Sequence, residues 1–387
     1  MNKRWLYFGL AGLALAVGLF PWRDKDDMPD RVASVLRDSA SNAGYTRVLE
    51  PREFVFPRDH GAHPNYRHEW WYVTGHLSDA EGRRHGFQLT FFRYGLNPAS
   101  LPSTSRWRSN QALLAHFALS DLTQGEFLTR QRQSRIALGT AGVSEALGQV
   151  WIRDWFLRQG DAPGEWRLAA ADGAEGLSLR LTEMKPPVLQ GDRGYSRKSA
   201  EPGNASYYYS LPRLSVEGSL TREGRQHAVS GTAWLDHEWG TSALGADQQG
   251  WDWFSLQLND GRELSFYRLR GHDNVTDPRS HGVLVGRDGE MSPLPAEAVV
   301  MTPRRWWRSP ISGARYPVVW QVEVPAQGLD LELSAAFDPQ EWHGPLRYWE
   351  GAVNVKCGKS QDTECGRGYL ELTGYGAGAS KAQTTKR

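Results

Sequence analysis

The sequence predicts an all-β protein. Glycine (41 residues) and proline (21) are frequent, and aromatic residues make up 11% of the 387 positions. Because aromatic residues favour strands and glycine favours turns, this composition is typical of many strands joined by tight turns. Hardly any segment of the body keeps a helical period, and the crossover helices of an α/β fold are missing. We therefore expect antiparallel barrels or sandwiches.

Turn sequences divide the chain into hairpins. Residues 259–262 (Asn-Asp-Gly-Arg) separate two strand-like runs, 253–258 and 263–269, which is a hairpin signal. Similar turns occur at residues 171–176, 222–224, 287–290 and 325–328. Short strands at this spacing favour barrels or sandwiches over βαβ units.

A faint internal repeat predicts two related modules. Residues 69–72 combine an acid with aromatic residues, and a hairpin leads from them to an aromatic-aromatic-arginine sequence at 91–93. Residues 251–254 and 266–268 repeat this arrangement through a shorter hairpin. The alternative is that two aromatic hairpins resemble one another by chance.

The repeat sets the domain boundaries that we predict. The N-terminal domain spans residues 51–240, the C-terminal domain spans residues 241–377, and residues 378–387 form a flexible tail. The charges of the chain nearly cancel, at 45 basic and 44 acidic residues, so nucleic-acid binding has no electrostatic support.

The N-terminal segment predicts export. Two basic residues precede an apolar run over residues 5–22, as in a signal peptide or a signal anchor. Cleavage at residues 14–16 would leave a short apolar region, whereas an anchor uses all 18 positions, near the lower limit for a bilayer span. A buried core helix fits the flanking charges less well. We favour an anchor at residues 1–23, a stalk at 24–50, and a periplasmic or otherwise extracytoplasmic body tethered to the inner membrane.

The two cysteines, Cys357 and Cys365, flank a polar loop between strand-like segments. A disulfide that closes this loop is the better interpretation if the compartment is oxidising. A zinc site would need further ligands close by, and the sequence shows none there. We expect no metal and no cofactor.

Most catalytic signatures are missing, but two His-Glu-Trp triplets, which begin at His68 and His237, stand out. In an extended strand Asp236 and Glu238 would share one face, with His237 and Trp239 on the other. A carboxyl pair or a histidine facing a cavity can act as acid or base. The alternative is a buried polar cluster that fixes the junction of the modules by hydrogen bonds. Metal binding is a distant third, because the spacing gives no complete ligand set.

The aromatic residues near these triplets either fill barrel cores or line a cavity. A β-barrel can hold one long apolar ligand, and a tryptophan face stabilises a passing cation. The candidate ligand-binding residues are Glu69, Trp70, Trp71, Tyr72, His116, Trp251 and Trp253.

Six motifs together carry a family resemblance. In chain order they are residues 63–72 (His-Pro-Asn-Tyr-Arg-His-Glu-Trp-Trp-Tyr), 115–118 (Ala-His-Phe-Ala), 194–198 (Gly-Tyr-Ser-Arg-Lys), 208–210 (Tyr-Tyr-Ser), 234–239 (Trp-Leu-Asp-His-Glu-Trp) and 250–254 (Gly-Trp-Asp-Trp-Phe). Over roughly residues 51–376 the chain resembles the AttH-like family of lipocalin-type proteins, which includes the carotenoid 1,2-hydratases. The resemblance implies two lipocalin-like antiparallel β-barrel modules in tandem, export, and an ABC-type export system as partner.

The resemblance also implies roles for single residues. Carotenoid hydratases add water to a terminal trisubstituted double bond, and His237 and Trp239 fall where they place functional residues, with Tyr267 as a third candidate. Asp236 or Glu238 would protonate the alkene, which needs a carboxyl whose pKa is raised by burial. Stabilisation of the cation would fall to Trp239 or Trp251. The water would be oriented by His237 or Tyr267.

Three functions follow as hypotheses. The first is an exported protein that binds a long apolar, isoprenoid or lipid ligand and works with an envelope transporter. The second is a hydratase that acts on a terminal isoprenoid double bond. The third is a scaffold without catalysis whose barrels are filled by side chains.

Overall fold

A computed structural model describes residues 42–98, 109–146, 148–241, 244–245, 247–271, 274–344, 346–358 and 363–376. Within these ranges no helix is long and apolar enough to cross a membrane. The predicted anchor, most of the stalk and the C-terminal tail lie outside the described residues. The predicted fold class is confirmed, because the described chain consists of two antiparallel sheets and short 3-10 turns.

The N-terminal sheet has 13 strands. These are β1 (His68–Asp79), β2 (Arg84–Gly95), β3 (Gln111–Asp121), β4 (Glu126–Arg135), β5 (Ala141–Ser144), β6 (Gln149–Ile152), β7 (Trp155–Gln159), β8 (Glu165–Asp172), β9 (Glu175–Glu183), β10 (Val188–Leu189), β11 (Tyr195–Arg197), β12 (Ala205–Arg222) and β13 (Arg225–Gly240). Their order in the sheet is β4-β3-β2-β1-β13-β12-β9-β8-β7-β6-β5, with β10 and β11 also paired to β12.

The C-terminal sheet has ten strands. These are β14 (Gln248–Leu258), β15 (Glu263–Gly271), β16 (His281–Val285), β17 (Met291–Pro295), β18 (Val300–Arg308), β19 (Arg315–Val324), β20 (Leu329–Ala335), β21 (Glu341–Trp342), β22 (Tyr348–Cys357) and β23 (Thr363–Leu372). Their order is β17-β16-β15-β14-β23-β22-β20-β19-β18, with β21 paired to β22. Three 3-10 turns, Arg58–His60, Ala296–Ala298 and Pro325–Gln327, complete the described elements.

The predicted turns lie between strands. Residues 259–262 join β14 to β15, and residues 287–290 lie in the connection from β16 to β17. Gly261 and Gly289 both have φ of +88°, in the left-handed region that glycine adopts without steric cost. The glycines therefore fix the position at which each hairpin reverses.

Each sheet packs around its own apolar core, and an aromatic layer joins the two. Tyr72 and Trp234 of the N-terminal sheet pack in one cluster with Trp253, Ala352 and Tyr369 of the C-terminal sheet. The rings of Tyr72 and Trp253 meet edge to face, with centroids 5.2 Å apart. This layer sets the two sheets against each other and leaves a cavity between them.

The repeated hairpins share a buried acid–arginine pair. Glu69 on β1 lies opposite Arg93 on β2, and the two side chains form an ion pair of 2.8 Å. Asp252 on β14 lies opposite Arg268 on β15, with an ion pair of 2.7 Å. The acid and the arginine that the sequence repeats are therefore direct cross-strand neighbours in both hairpins.

The predicted disulfide is confirmed. Cys357 ends β22 and Cys365 lies in β23, and the bonded pair has a Cα–Cα distance of 5.7 Å. Disulfides persist in oxidising compartments, so this bond indicates an extracytoplasmic setting for the folded domain.

Candidate functional site

A narrow cavity lies between the two sheets. The space between its walls, including the open mouth, is about 1020 Å³, but the centre of a water molecule can reach only about 90 Å³ of it. Its walls come from both sheets: His68, Glu69, Trp70, Tyr72, Gln88, Thr90, Phe92, Arg93, Tyr94, Lys198, Tyr208, Asp236, Glu238, Trp251, Trp253, Tyr267, Leu346, Tyr348, Glu371 and Thr373. Many of these residues are polar or charged, but most of the wall surface is apolar, as is typical of a small-molecule site.

Strand register arranges the N-terminal wall in three rows. The Asp236 row consists of Thr90, Tyr72, Asp236 and Ser210. The Glu238 row consists of Phe92, Trp70, Glu238 and Tyr208. The His68 row contains Tyr94 and His68. Neighbouring rows are two residues apart along the strands, or about 7 Å.

Asp236 is a buried carboxyl on this wall. Its Oδ1 accepts hydrogen bonds from Trp234 Nε1 (2.7 Å) and Ser210 Oγ (2.5 Å), and its Oδ2 accepts one from the Tyr208 hydroxyl (2.8 Å). Burial raises the pKa of Asp236 to about 7; the three hydrogen bonds oppose this rise and the charge of Glu238 adds to it. Near neutral pH a large share of the molecules therefore has a proton on Asp236.

Glu371 brings a second acid from the opposite wall. Burial raises the pKa of Glu371 to about 8; a hydrogen bond with Trp251 opposes the rise, and the charges of Asp236 and Glu238 add to it. Beside it in the sheet, Glu350 accepts a hydrogen bond of 2.6 Å from the Tyr72 hydroxyl, and burial raises the pKa of Glu350 well above its ordinary value. The region between the sheets therefore contains several acids that favour the neutral form.

Glu238 differs from Asp236 in having a cation beside it. The Lys198 ammonium forms an ion pair of 2.7 Å with Glu238, and both side chains are almost fully buried. Ser206 also donates a hydrogen bond to Glu238. The same ammonium lies 4.2 Å from the centroid of the Tyr267 ring, a cation–π contact. The cavity thus has one charge-balanced carboxyl next to one protonatable carboxyl.

Three of the predicted residues, Trp71, His237 and Trp239, lie on the opposite face of the N-terminal sheet, inside its core. His237 Nε2 is 2.9 Å from Glu69 Oε1, and the His237 ring stacks on Trp71 with centroids 4.7 Å apart. Trp239 stacks on His63, with centroids 3.7 Å apart and an interplanar angle of 3°. The alternation of β13 therefore puts His237 and Trp239 behind the cavity wall, while Asp236 and Glu238 face the cavity.

Glu69 is the centre of a charged network at one end of the cavity. Its carboxylate accepts hydrogen bonds from Arg93 Nε (2.8 Å), His63 Nδ1 (2.9 Å) and His237 Nε2 (2.9 Å). Burial opposes ionisation, but Arg93, His237 and His63 together hold the pKa of Glu69 well below its ordinary value. His63, Glu69 and His237 have ligand atoms within 4.8 Å of one another, as a metal site would. Because Arg93 already balances the carboxylate, these contacts form a complete network without an ion.

The other predicted residues lie in or next to the cavity wall. Trp70, Tyr72, Trp251, Trp253 and Tyr267 all line it. His116 lies behind the wall, where its Nδ1 is 2.7 Å from the hydroxyl of the lining residue Tyr348. The structure therefore brings most of the predicted aromatic residues to one surface.

The lining residues that were missed as site candidates include Lys198, Tyr208 and Glu371. Lys198 and Tyr208 fall inside two of the family motifs, but the sequence does not show what they contact. Glu371 lies between Leu370 and Leu372 of β23, so strand alternation alone puts it on the face opposite two core leucines. An acid placed between two core leucines was the signal available for Glu371.

The pKa of Glu371 predicts a pH-dependent stability. Between pH 4.5 and about 8 the Glu371 carboxyl is protonated in the folded protein and ionised in the unfolded chain. The contribution of Glu371 to stability is therefore greatest below pH 4.5 and is lost as the pH rises through 8. Glutamine stays neutral at every pH. We expect Glu371→Gln to raise the thermal midpoint relative to wild type by about 5 °C at pH 9 and by much less at pH 5. Thermal scans between pH 5 and pH 9 measure the effect, and Glu297→Gln, at an exposed position, is the control. A difference in thermal midpoint between Glu371→Gln and wild type that does not grow with pH contradicts the prediction.

The fold and the cavity define a class: a lipocalin-like β protein in which two antiparallel sheets enclose a carboxyl-bearing cavity. The AttH-like family matches residues 47–375, and the chain belongs to this family. The family that the motifs predict is thereby confirmed. No curated protein sequence matches the chain.

Three solved structures show the same fold. An AttH protein from Nitrosomonas europaea has 35% identity and a TM-score of 0.76, covering 85% of this chain and 99% of its own. Kievitone hydratase from Nectria haematococca has 16% identity and a TM-score of 0.65, covering 86% and 96%. CghA with Sch210972 has 14% identity and a TM-score of 0.51, covering 84% and 97%. At these lower identities the last two show likeness of fold alone.

Proposed function

We propose that this protein is a hydratase that adds water across a carbon–carbon double bond of an apolar, isoprenoid-like ligand. The observation that carries the proposal is Asp236, a carboxyl with a pKa of about 7 on the wall of an apolar cavity. A general acid works best when its pKa lies near the working pH. Kievitone hydratase, which shares the fold, is a hydratase by name.

The proposed reaction balances with water as the only co-reactant. Asp236 transfers its proton to the less substituted carbon of a trisubstituted double bond, which leaves a tertiary cation on the other carbon. The aromatic faces of Trp70 and Trp253 stabilise this cation. Water adds to the cation, and its surplus proton returns to the Asp236 carboxylate.

Hydrogen bonds around Asp236 suit both of its protonation states. The Tyr208 hydroxyl donates to Asp236 and accepts a hydrogen bond of 3.2 Å from Trp253 Nε1. Hydroxyl groups can donate or accept by rotating, so Tyr208 and Ser210 serve the neutral acid as well as the carboxylate. The acid and one cation-stabilising ring are thus joined through a single tyrosine.

We place this activity outside the cytoplasm, with the body tethered to the inner membrane through residues 1–23. The disulfide between Cys357 and Cys365 supports an oxidising compartment. Apolar ligands partition into membranes, so a tethered body would meet its substrate there. An ABC-type transporter is the proposed partner for delivery of the ligand.

The test begins with the ligand. The full-length protein is purified from the envelope of its own host, extracted with organic solvent and analysed by mass spectrometry. The compound found is then incubated with fresh protein, and we expect a product heavier by one water molecule. A stoichiometric ligand that returns unchanged at every pH between 5 and 8 argues against hydration, and an extract without ligand argues against the cavity as a binding site.

One observation favours a second function, which is ligand binding or lipid handling without turnover. Of the predicted catalytic residues, His237 and Trp239 do not line the cavity. A carrier needs the apolar walls but not the acid. An unchanged ligand in the incubation above is the result expected of such a carrier.

A further inference from the structure

His68 is a buried histidine on the cavity wall that lacks hydrogen bonds. It is 2% exposed, and among the described residues neither Nδ1 nor Nε2 has a hydrogen-bond partner. Its ring packs edge to face with the ring of Tyr94, at a centroid distance of 5.8 Å. Buried polar groups are almost always paired, so an imidazole with two free nitrogens is an exception that needs a cause.

The charge of this ring is also defined by its surroundings. Burial, together with the nearby cations Arg67 and Arg93, lowers the pKa of His68 to about 3. The imidazole is therefore neutral and offers one N–H donor and one bare nitrogen acceptor. A hydroxyl group can pair with either nitrogen, whereas a hydrocarbon can pair with neither.

The position of His68 identifies which part of a ligand it would meet. It lies in the last of the three rows, next to Tyr94, and Tyr94 and Leu346 also line a surface cleft beside the cavity. The His68 row is therefore the end of the cavity nearest that cleft. Asp236 lies opposite Tyr72 of β1. Tyr72 is four residues after His68 in this strand, so the positions of His68 and Asp236 are about 13 Å apart along the sheet.

We propose that His68 is a specificity-determining residue that binds an oxygen function of the ligand at this end of the cavity. The substrate class is then a linear isoprenoid alcohol or related oxygenated chain, whose polar end lies at His68 while a double bond about 13 Å away lies at Asp236. This assignment rests on the proposed function, since it needs the same cavity to bind an apolar chain.

Two probes of equal chain length test the assignment. Farnesol has a hydroxyl at one end and a trisubstituted double bond at the other, and β-farnesene is the matching hydrocarbon. Binding of each is followed by quenching of tryptophan fluorescence, because Trp70, Trp251 and Trp253 line the cavity. We expect wild type to bind farnesol about tenfold more tightly than β-farnesene, since only the alcohol pairs with the buried imidazole.

Substitutions at His68 separate a ligand contact from a structural role. His68→Leu should lose the preference for farnesol, keep its affinity for β-farnesene, and melt at or above the wild-type temperature, because it removes an unpaired buried polar group. His68→Gln keeps a donor and an acceptor and should recover part of the preference. A melting temperature several degrees lower in His68→Leu would instead indicate a structural role and overturn the assignment.

The remaining outcomes distinguish the two proposals. Equal binding of both probes by wild type, or equal weakening of both in His68→Leu, overturns the role of His68 and leaves the apolar cavity in place. Failure of wild type to bind either probe overturns the ligand cavity and the role of His68 together.

Discussion

Replacement of Asp236 by asparagine is expected to reduce turnover by about a thousandfold, within the range that a general acid contributes. Asparagine is isosteric and can still accept hydrogen bonds from Trp234 and Ser210, but it has no proton to give to a double bond. Ligand affinity should stay within a few fold of wild type. The wild-type rate should also fall as the pH rises through about 7, because the reaction needs the protonated form of Asp236.

Glu350→Gln is the matched control for this substitution. Glu350 is a buried carboxyl between the sheets with a raised pKa, it accepts a hydrogen bond from Tyr72, and it does not line the cavity. Steady-state rates and fluorescence titrations on both variants give the comparison. Equal loss of turnover in the two variants, or a fully active Asp236→Asn protein, would remove Asp236 from the mechanism.

The second large effect concerns stability. We expect Arg93→Met to lower the free energy of unfolding by about 3–5 kcal/mol, because it leaves the Glu69 carboxylate buried without its cation. Both side chains of this pair are completely buried, so water cannot replace the lost guanidinium. Urea denaturation of the purified body measures the change.

An exposed ion pair provides the control for Arg93. Arg180 and Glu217 are 2.6 Å apart, and both side chains are more than half exposed. Arg180→Met should therefore cost less than about 1 kcal/mol. If the two arginine substitutions cost the same, the buried network around Glu69 does not have the structural role that its geometry suggests.

Much of the fold could be predicted because its signals are local. The Asn-Asp-Gly-Arg turn before Glu263 needs only the conformational freedom of Gly261, and the pairing of Cys357 with Cys365 needs only a short loop. The alternation of β13 likewise follows from strand geometry alone, and it separates Asp236 from His237 on opposite faces.

The site was harder to predict because its residues come from distant parts of the chain. Glu371 lies more than a hundred residues after Asp236 in the sequence, and only the packing of one sheet on the other brings both to one cavity. The raised pKa of each acid depends on burial, which a sequence motif does not state. The missing partners of His68 are a property of three-dimensional surroundings, and no pattern in residues 63–72 indicates them.

The disulfide has a practical meaning for how the protein is prepared. It closes a loop across a sequence separation of eight, which corresponds to about 2.5 kcal/mol of stabilisation in the chain-entropy description. Cys365 lies six residues before Glu371 on β23, or about 20 Å along the strand. Material expressed in a reducing cytoplasm would therefore have a weaker β22–β23 hairpin around an unchanged cavity. A lower melting temperature in such a preparation would report its redox history, and its ligand affinity would remain a valid measurement.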